Sequence, residues 1–472
     1  MFDKLFSPFT VKDMELKNRV VLPAMGTKFS GKTRNVTPTL IDYHVARVRG
    51  GSGLNIVEVC SIHTPSAPKG YLSISEDMYI PGLQRLTEAI HKAGGKAGLQ
   101  LWQGSLAVGM DPDAQILLAS DMEMSLGVTL PGISGEMIEE IIASYGKAAG
   151  RAVKAGFDCV EFHCAHNYLP HSFLSGGINH RTDEYGGSFE NRAKFPLACI
   201  RAIRANIPEG MPLFMRIDAH DDYLENGLTI EDVITFCKLA KEAGVDVLDI
   251  SRGNILTAGL KYEVPPVDIP HGFNIANAAR IRRETGMTTI GVGRINTPEL
   301  AEKILEEDQV DLVVIGRAQL ADPEFCNKAK AGKTEEIDYC VGCNQGCYDG
   351  FENMDVEYIT CLRNPALGRE KECEICPAEK TETVLIAGGG IAGLEAAVIL
   401  KKRGHNPILC EATDILGGQF LTAGEAPRKK EMKDAAISMA KKAKRLGVDI
   451  RMNTRVTPEL IAQINPHTVI NA

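Results

Sequence analysis

Between Asn18 and about residue 330, short contiguous runs of apolar, often β-branched residues alternate with stretches whose apolar positions fall three and four apart. The pair recurs eight times. The runs are NRVVLPAM from Asn18, LNIVEVCSI from Leu54, KAGLQLW from Lys96 and FDCVEFH from Phe157, then PLFMRID from Pro212, VDVLDIS from Val245, TTIGVG from Thr288 and VDLVVIG from Val310. Contiguous rather than alternating apolar runs belong to parallel strands covered on both faces. The intervening segments, LQRLTEAIHKAGG and IEDVITFCKLAKEAG among them, read as amphipathic helices. Gly94, Gly156 and Gly244 stand where left-handed C-terminal caps are needed. Eight strand–helix units predict an N-terminal (β/α)8 TIM barrel over residues 1–330, in an α/β chain. The largest insertion, Gln103 to about Ser134, follows the third strand and should overhang the end that carries chemistry.

The pattern changes after residue 330. Residues 331–380 form a cysteine-rich linker that ends in the polar stretch EKECEICPAEKTE. From Thr383 the run VLIAGGGIAGLEAAVILKKRGHNPILCEA reads as strand, glycine turn, helix and strand, the opening of a Rossmann-like domain over 381–472. A third strand is expected from Val448 and another in TVINA at the end.

Composition narrows the function classes. A net charge of −9 argues against nucleic acid as a partner and offers no basic patch for a membrane surface. No apolar run reaches spanning length and no secretory signal is visible, so the thirteen cysteines read as reduced thiols of a cytoplasmic protein rather than a disulfide framework. Four of them stand apart. Cys340, Cys343 and Cys347 come from one tight loop, and Cys361 follows after thirteen residues. Soft thiolates at this spacing suit a 4Fe–4S cluster, with structural zinc as the rival. Cys373 and Cys376 form a further Cys-x-x-Cys with no matching pair nearby, and the remaining cysteines read as small core residues.

Barrel chemistry gathers at strand C-termini. The ends here carry Ala24-Met25-Gly26, Gln100, His163 with His166 and Tyr168 beyond it, Arg216, Gly293-Arg294 and Gly316-Arg317. The last two glycine–arginine pairs suit a phosphate. One histidine leaving a strand is ordinarily a satisfied core residue; two with a tyrosine inside six residues point to function.

The segment HCAHNYLPHSFLSGGINHRTDEYGGSFENR, His163 to Arg192, resembles the hallmark of the Old Yellow Enzyme family of FMN-dependent ene-reductases. With the cysteine loop and glycine turn, the whole chain is similar to the multidomain iron–sulfur branch, which holds 2,4-dienoyl-CoA and 2-enoate reductases, trimethylamine dehydrogenase and bile-acid-inducible NADH:flavin oxidoreductases. SRGN at Ser251, YEVPP at Tyr262, HGFNI at His271 and GVGRIN at Gly291 resemble the last group, which acts on 3-oxo-Δ4 steroids. The resemblance implies hydride transfer from FMN N5 to the β-carbon of an α,β-unsaturated carbonyl. His163 and His166 would bind the oxyanion, and Tyr168 would protonate the α-carbon. FMN would lie on Ala24, Met25, Gly26, Gln100 and Arg216, its phosphate on Gly293, Arg294, Gly316 and Arg317. The cluster would pass electrons that NAD(P)H delivers through FAD.

Gly388, Gly390 and Gly393 form GxGxxG in the strand–turn–helix context that the fingerprint needs. Glu411 ends the next strand, placed for a ribose, and Gly417-Gly418-Gln419-Phe420 resembles flavoprotein disulfide reductases, favouring FAD. Relatives continue into an NAD(P)H module that should follow Ala472. The expectation is therefore a fragment that holds FAD poorly, or a chain whose partner or homo-oligomer supplies the module. Departures shape the substrate reading. The loop after strand six offers Arg252 and Asn254 but no histidine, which weakens the dienoyl-CoA assignment. Gly26 to Asn35 lacks the cysteine that tethers FMN in amine dehydrogenases. A 2-enoate or flavonoid reductase is the alternative enzyme, and an electron-transfer flavoprotein the non-enzyme rival.

Overall fold

The computed structural model describes residues 1–124, 127–353 and 355–472, the side chain of Leu260 aside. Eight parallel strands close into a barrel: β1 (Val20–Leu22), β2 (Leu54–Ser61), β3 (Lys96–Trp102), β4 (Cys159–Cys164), β5 (Leu213–Asp218), β6 (Val247–Ser251), β7 (Thr288–Gly291) and β8 (Leu312–Val314). Each neighbours the next, and β1 pairs with both β2 and β8. Helices such as Ile80–Lys92, Gly135–Lys154 and Ile230–Ala243 return the chain between strands. The last has a reciprocal Thr229–Asp232 capping box at its start and Gly244 at φ 114° past its end, a conformation that disfavours any side chain.

The two ends of the barrel differ in chemistry. At the strand N-termini, Leu54, Cys159, Phe214, Val247, Ile290 and Leu312 pack against Val11, Met14 and Leu16 of an N-terminal hairpin, a core with no polar group. Truncating a side chain such as the fully buried Phe214 there costs about 3–5 kcal/mol. Toward the C-termini the lining becomes polar, and register decides which side chains meet. Gln100 lies opposite Glu161, and Arg216 opposite both His163 and Asp249.

The chain divides into two compact units: residues 1–332 with 344–369, and 333–343 with 370–472. The cysteine-rich stretch thus splits between them. Residues 344–369 join the barrel because Ile359 N–H donates to Thr27 O at 3.1 Å and Lys28 Nζ to Gly350 O at 3.0 Å. In the second unit, β9 (Thr383–Ala387), β10 (Asn406–Cys410), β11 (Asp449–Arg451) and β12 (Thr468–Asn471) form a parallel sheet ordered β11–β10–β9–β12. Val384, Ile386 and Leu409 pack on Leu394, Ala397 and Val398 of the helix after the glycine turn. Among the described residues no helix is long and apolar enough to cross a membrane.

Candidate active site

Inside the barrel, β3 to β6 contribute a buried polar layer. Gln100 Nε2 donates to Glu161 Oε1 at 2.7 Å, and Arg216 forms an ion pair with Asp249 and donates to Ser251 Oγ at 3.1 Å. Burial, then the neighbouring Asp249, pushes the Glu161 carboxyl up to about 8, so it carries its proton at neutral pH beside the Arg216–Asp249 pair.

Above it the chain leaving β4 turns sharply. His166 and Asn167 both take left-handed backbone, φ 60° and 58°. Successive non-glycine residues in that region cost on the order of 1–2 kcal/mol each. The turn is clamped: His166 N–H donates to Asp218 Oδ2 at 2.7 Å, and Asn167 N–H to His171 Nδ1 at 2.8 Å. His171 is held in turn by Asp221, 3.2 Å from Nε2. The clamp gathers the expected trio. Ring centroids are 5.1 Å apart for His163 and His166, 4.7 Å for His163 and Tyr168, and 6.1 Å for His166 and Tyr168. Trp102 meets Tyr168 edge-on at 5.3 Å and stacks on Tyr71 at 5.1 Å, so the single tryptophan both packs the barrel and borders the site.

Burial holds the His163 and His166 imidazoles well below their usual range, with Arg216 adding to the effect at both. Burial, then Glu263, holds the Tyr168 phenol well above 10. All three are therefore neutral at pH 7, two imidazoles able to donate N–H and one phenol carrying its proton.

Sequence reasoning missed the acids around them. Asp218, pushed up to about 6 by burial, stands 3.3 Å from His166 Nε2, and Glu263 from the loop after β6 stands 3.4 Å from Nδ1. Glu58 on β2 accepts from Thr27 N–H at 3.0 Å and from the Thr27 hydroxyl, and burial pushes it up to about 8. Tyr348, Phe351 and Glu352, read from sequence as linker, belong to the barrel unit, with Phe351 against Gly26 and Tyr71. An acid inside an apolar run, as in LNIVEVC and FDCVEFH, was the signal available.

The FMN positions suit that cofactor on chemistry. Gly293 sits at φ 143°, and a Cβ on Gly316 would lie 3.2–3.3 Å from Pro23 and Met25, so both positions favour glycine. Arg294 donates to Val267 O at 3.0 Å and to Ile269 O. Arg317 donates to Pro265 O at 2.7 Å and to Asn344 Oδ1; among the described residues it has no carboxylate partner, leaving its charge for a phosphate. Ala24, beside Met25, packs on the barrel core.

The cysteines fall in two pairs. Gly342 N–H donates to Cys340 Sγ at 3.4 Å, near Cys343 in the second unit. In the barrel unit Thr360 N–H donates to Gly346 O at 2.8 Å, tying the residue before Cys361 to the residue before Cys347. A Cβ on Gly346 would lie 2.5 Å from Thr360 O, so this approach needs glycine. All four are partly exposed, unlike the buried Cys60, Cys159, Cys164, Cys199, Cys237 and Cys326. Among the described residues no three His, Cys, Asp or Glu side chains are drawn together as a metal site.

In the second unit a Cβ on Gly393 would strike Gly388 O at 2.0 Å, Gly388 has φ 116°, and Gly390 opens the helix. Glu411 accepts from Gly389 N–H and Thr413 N–H, each at 2.8 Å, which hold its carboxyl below the usual range against its burial. Gln419 lies exposed in the short helix Gly418–Ala423.

A family model described as NADH:flavin oxidoreductase / NADH oxidase matches residues 4–336. The chain belongs to that family. It is 37% identical to an NADH oxidase of Thermoanaerobacter brockii over 479 residues, covering 100% of this chain and 73% of the relative. It is 30% identical to a cinnamate reductase of Clostridium sporogenes, covering 99% and 73%. A solved 2-naphthoyl-CoA reductase superposes with a TM-score of 0.92 at 27% identity, covering all of this chain and 74% of the other. This member of the family is thus an Old Yellow Enzyme-like, multidomain flavin oxidoreductase, with FMN and NAD(P)H as its redox partners.

Proposed function

We propose that the chain is an ene-reductase: it delivers hydride to the β-carbon of an α,β-unsaturated carbonyl, and Tyr168 delivers the proton to the α-carbon. The observation that carries this is the neutral trio His163, His166 and Tyr168 gathered at the end of β4. FMN supplies the hydride when bound. The chain's own residues do the rest. His163 Nδ1 accepts from Ala165 N–H at 3.3 Å, so its own N–H is on Nε2, available to a carbonyl oxygen as negative charge grows there. A phenol above 10 suits protonation of carbon, since it keeps its proton until an enolate-like base is present.

Substrate class follows from charge. Burial first keeps the proton on Glu263, Tyr71 and Tyr348 around Tyr168 at pH 7, so they offer an anion no opposite charge. The nearest arginines are committed, Arg216 to Asp249 and Arg252 to Asp222. An uncharged enone enters more readily than an enoate, which supports a 3-oxo-Δ4 steroid or bile acid, reacting at its ring enone, over a 2-enoate. A cavity of about 230 Å³ reaches the same loop through Asn167, lined also by Ser105, Leu118 and Met122 of the insertion, Ile178, and Leu256 after β6. It gives the substrate body a place to lie. On their spacing in the sequence, Cys340, Cys343, Cys347 and Cys361 are proposed to ligate a 4Fe–4S cluster, and the glycine turn with Glu411 to hold FAD, in a cytoplasmic chain fed by NAD(P)H.

The test is anaerobic reconstitution of the chain with FMN, iron and sulfide, then turnover of neutral enones, enoates and enoyl thioesters with a reduced dye as donor. Saturation of a neutral enone supports the reading. Flavin that is reduced and then reoxidised by none of the conjugated carbonyls returns the chain to the electron-transfer class.

A further inference from the structure

The turn that carries the trio is gripped from its own C-terminal side. His166 and Asn167 stand in left-handed backbone, and both polar groups of the Asn167 backbone are taken by the short helix Leu169–Leu174 that follows. The Asn167 N–H donates to His171 Nδ1 at 2.8 Å, and its carbonyl accepts from Ser172 Oγ at 2.6 Å. A backbone amide can only donate, so Nδ1 holds a lone pair and no proton. The ring that fits here is neutral, with its hydrogen on Nε2.

Carboxylates stand on both sides of that ring. Nε2 faces Asp221 Oδ1 at 3.2 Å, while Oδ2 of the same group accepts from Ser175 Oγ at 2.6 Å and from Leu228 N–H at 2.9 Å. Asp218 Oδ2 lies 4.0 Å from Nδ1. His171 is fully buried, so bulk water cannot take its place as acceptor for Asn167. A buried amide without an acceptor bears the whole cost of its desolvation.

We propose that His171 is a positioning residue: a neutral acceptor that locks the left-handed turn, so setting where His166 and Tyr168 stand, and that releases the turn when its ring is protonated. The proposal rests on the ene-reductase reading only for its use, since the contacts belong to the chain itself. A proton on Nδ1 would point at the Asn167 N–H, donor against donor. The surroundings favour its uptake. Burial opposes a charge on the ring, but Asp221 and then Asp218 outweigh it and raise the imidazole above its ordinary 6.5. His163 and His166, which face the ring from the end of β4, are held neutral by burial and set no charge against it. The turn is therefore held on the alkaline side of the His171 midpoint and released as pH falls through it. Freed of its acceptor, the strained pair relaxes toward right-handed backbone, and Tyr168, next in the chain, moves with it.

The single tryptophan reports on this, because Trp102 meets the Tyr168 ring edge-on at 5.3 Å. The test follows its emission in the 472-residue chain from about pH 9 to about pH 5, the range in which a histidine titrates. The unaltered chain should show a one-proton change with a midpoint above 6.5. His171→Asn puts an amide oxygen where Nδ1 stands and cannot titrate, so it should keep the alkaline emission throughout. His171→Leu offers no acceptor and should show the acid emission at every pH, with enone turnover about 10²-fold down and about tenfold below that of His171→Asn. No change in the unaltered chain, a change that persists in His171→Asn, or alkaline emission from His171→Leu overturns the proposal. Should His171→Leu fail to fold, the comparison with His171→Asn decides alone. Emission that behaves as expected in a chain that turns over no enone sinks the ene-reductase reading and leaves the lock standing.

Discussion

Replacing Tyr168 by phenylalanine separates proton delivery from everything else at the site. The ring lies edge-on to His163 at 4.7 Å and to Trp102 at 5.3 Å, contacts that phenylalanine retains. Only the hydroxyl is lost, so folding stability should change by no more than about 1 kcal/mol. The chemical cost is larger. The two imidazoles do not replace the donor, because both are held neutral and a neutral imidazole gives up its N–H less readily than a phenol gives up its proton. A positioned general acid contributes about 10²–10⁴ in rate, or about 3–5 kcal/mol of barrier. Enone reduction by the FMN-loaded chain with reduced dye should fall by that factor, while reduction of the flavin by dithionite proceeds at the original rate. Turnover within about tenfold of the unaltered enzyme would refute the donor role. So would an equal loss in both assays, since it would show a damaged site rather than a missing proton.

Other outcomes follow from the same geometry. Glu58 has a folded value of about 8 against an ordinary 4.5, so its contribution is fully present below 4.5 and is lost as pH rises through 8. Glu58→Gln should therefore gain up to about 3 kcal/mol in urea unfolding at pH 7 and nothing at pH 4.5; an equal gain at both would show that ionisation is not the cause. Gly253→Ala forces a side chain into the left-handed region and against the Glu263 backbone, and should cost roughly 2 kcal/mol or more; normal stability would contradict the close approach. Benzylideneacetone should be preferred to cinnamate by at least tenfold in kcat/KM, about 1.4 kcal/mol, since the arginines nearby are already paired; parity would remove that argument. Cys347→Ser should lose the iron and acid-labile sulfide of the reconstituted chain while FMN remains bound; full retention of both would exclude this cysteine as a ligand.

Much of the architecture was legible because it is written in local pattern. Contiguous apolar runs located all eight barrel strands, and the glycines at 94, 156 and 244 take the positive φ their cap positions called for. The trio at the end of β4 was legible for the same reason: His163, His166 and Tyr168 are neighbours in sequence, so one strand and one turn suffice to place them. The groups that tune them come from far along the chain. Asp218 and Glu263 reach His166 from 52 and 97 residues away (218 − 166, 263 − 166), and Glu352 belongs to a segment whose composition marked only a linker. Local pattern reports a residue's own burial and periodicity. A pKa depends on how much water is removed and which charges are brought near, and those are settled only when distant strand ends close into one barrel mouth.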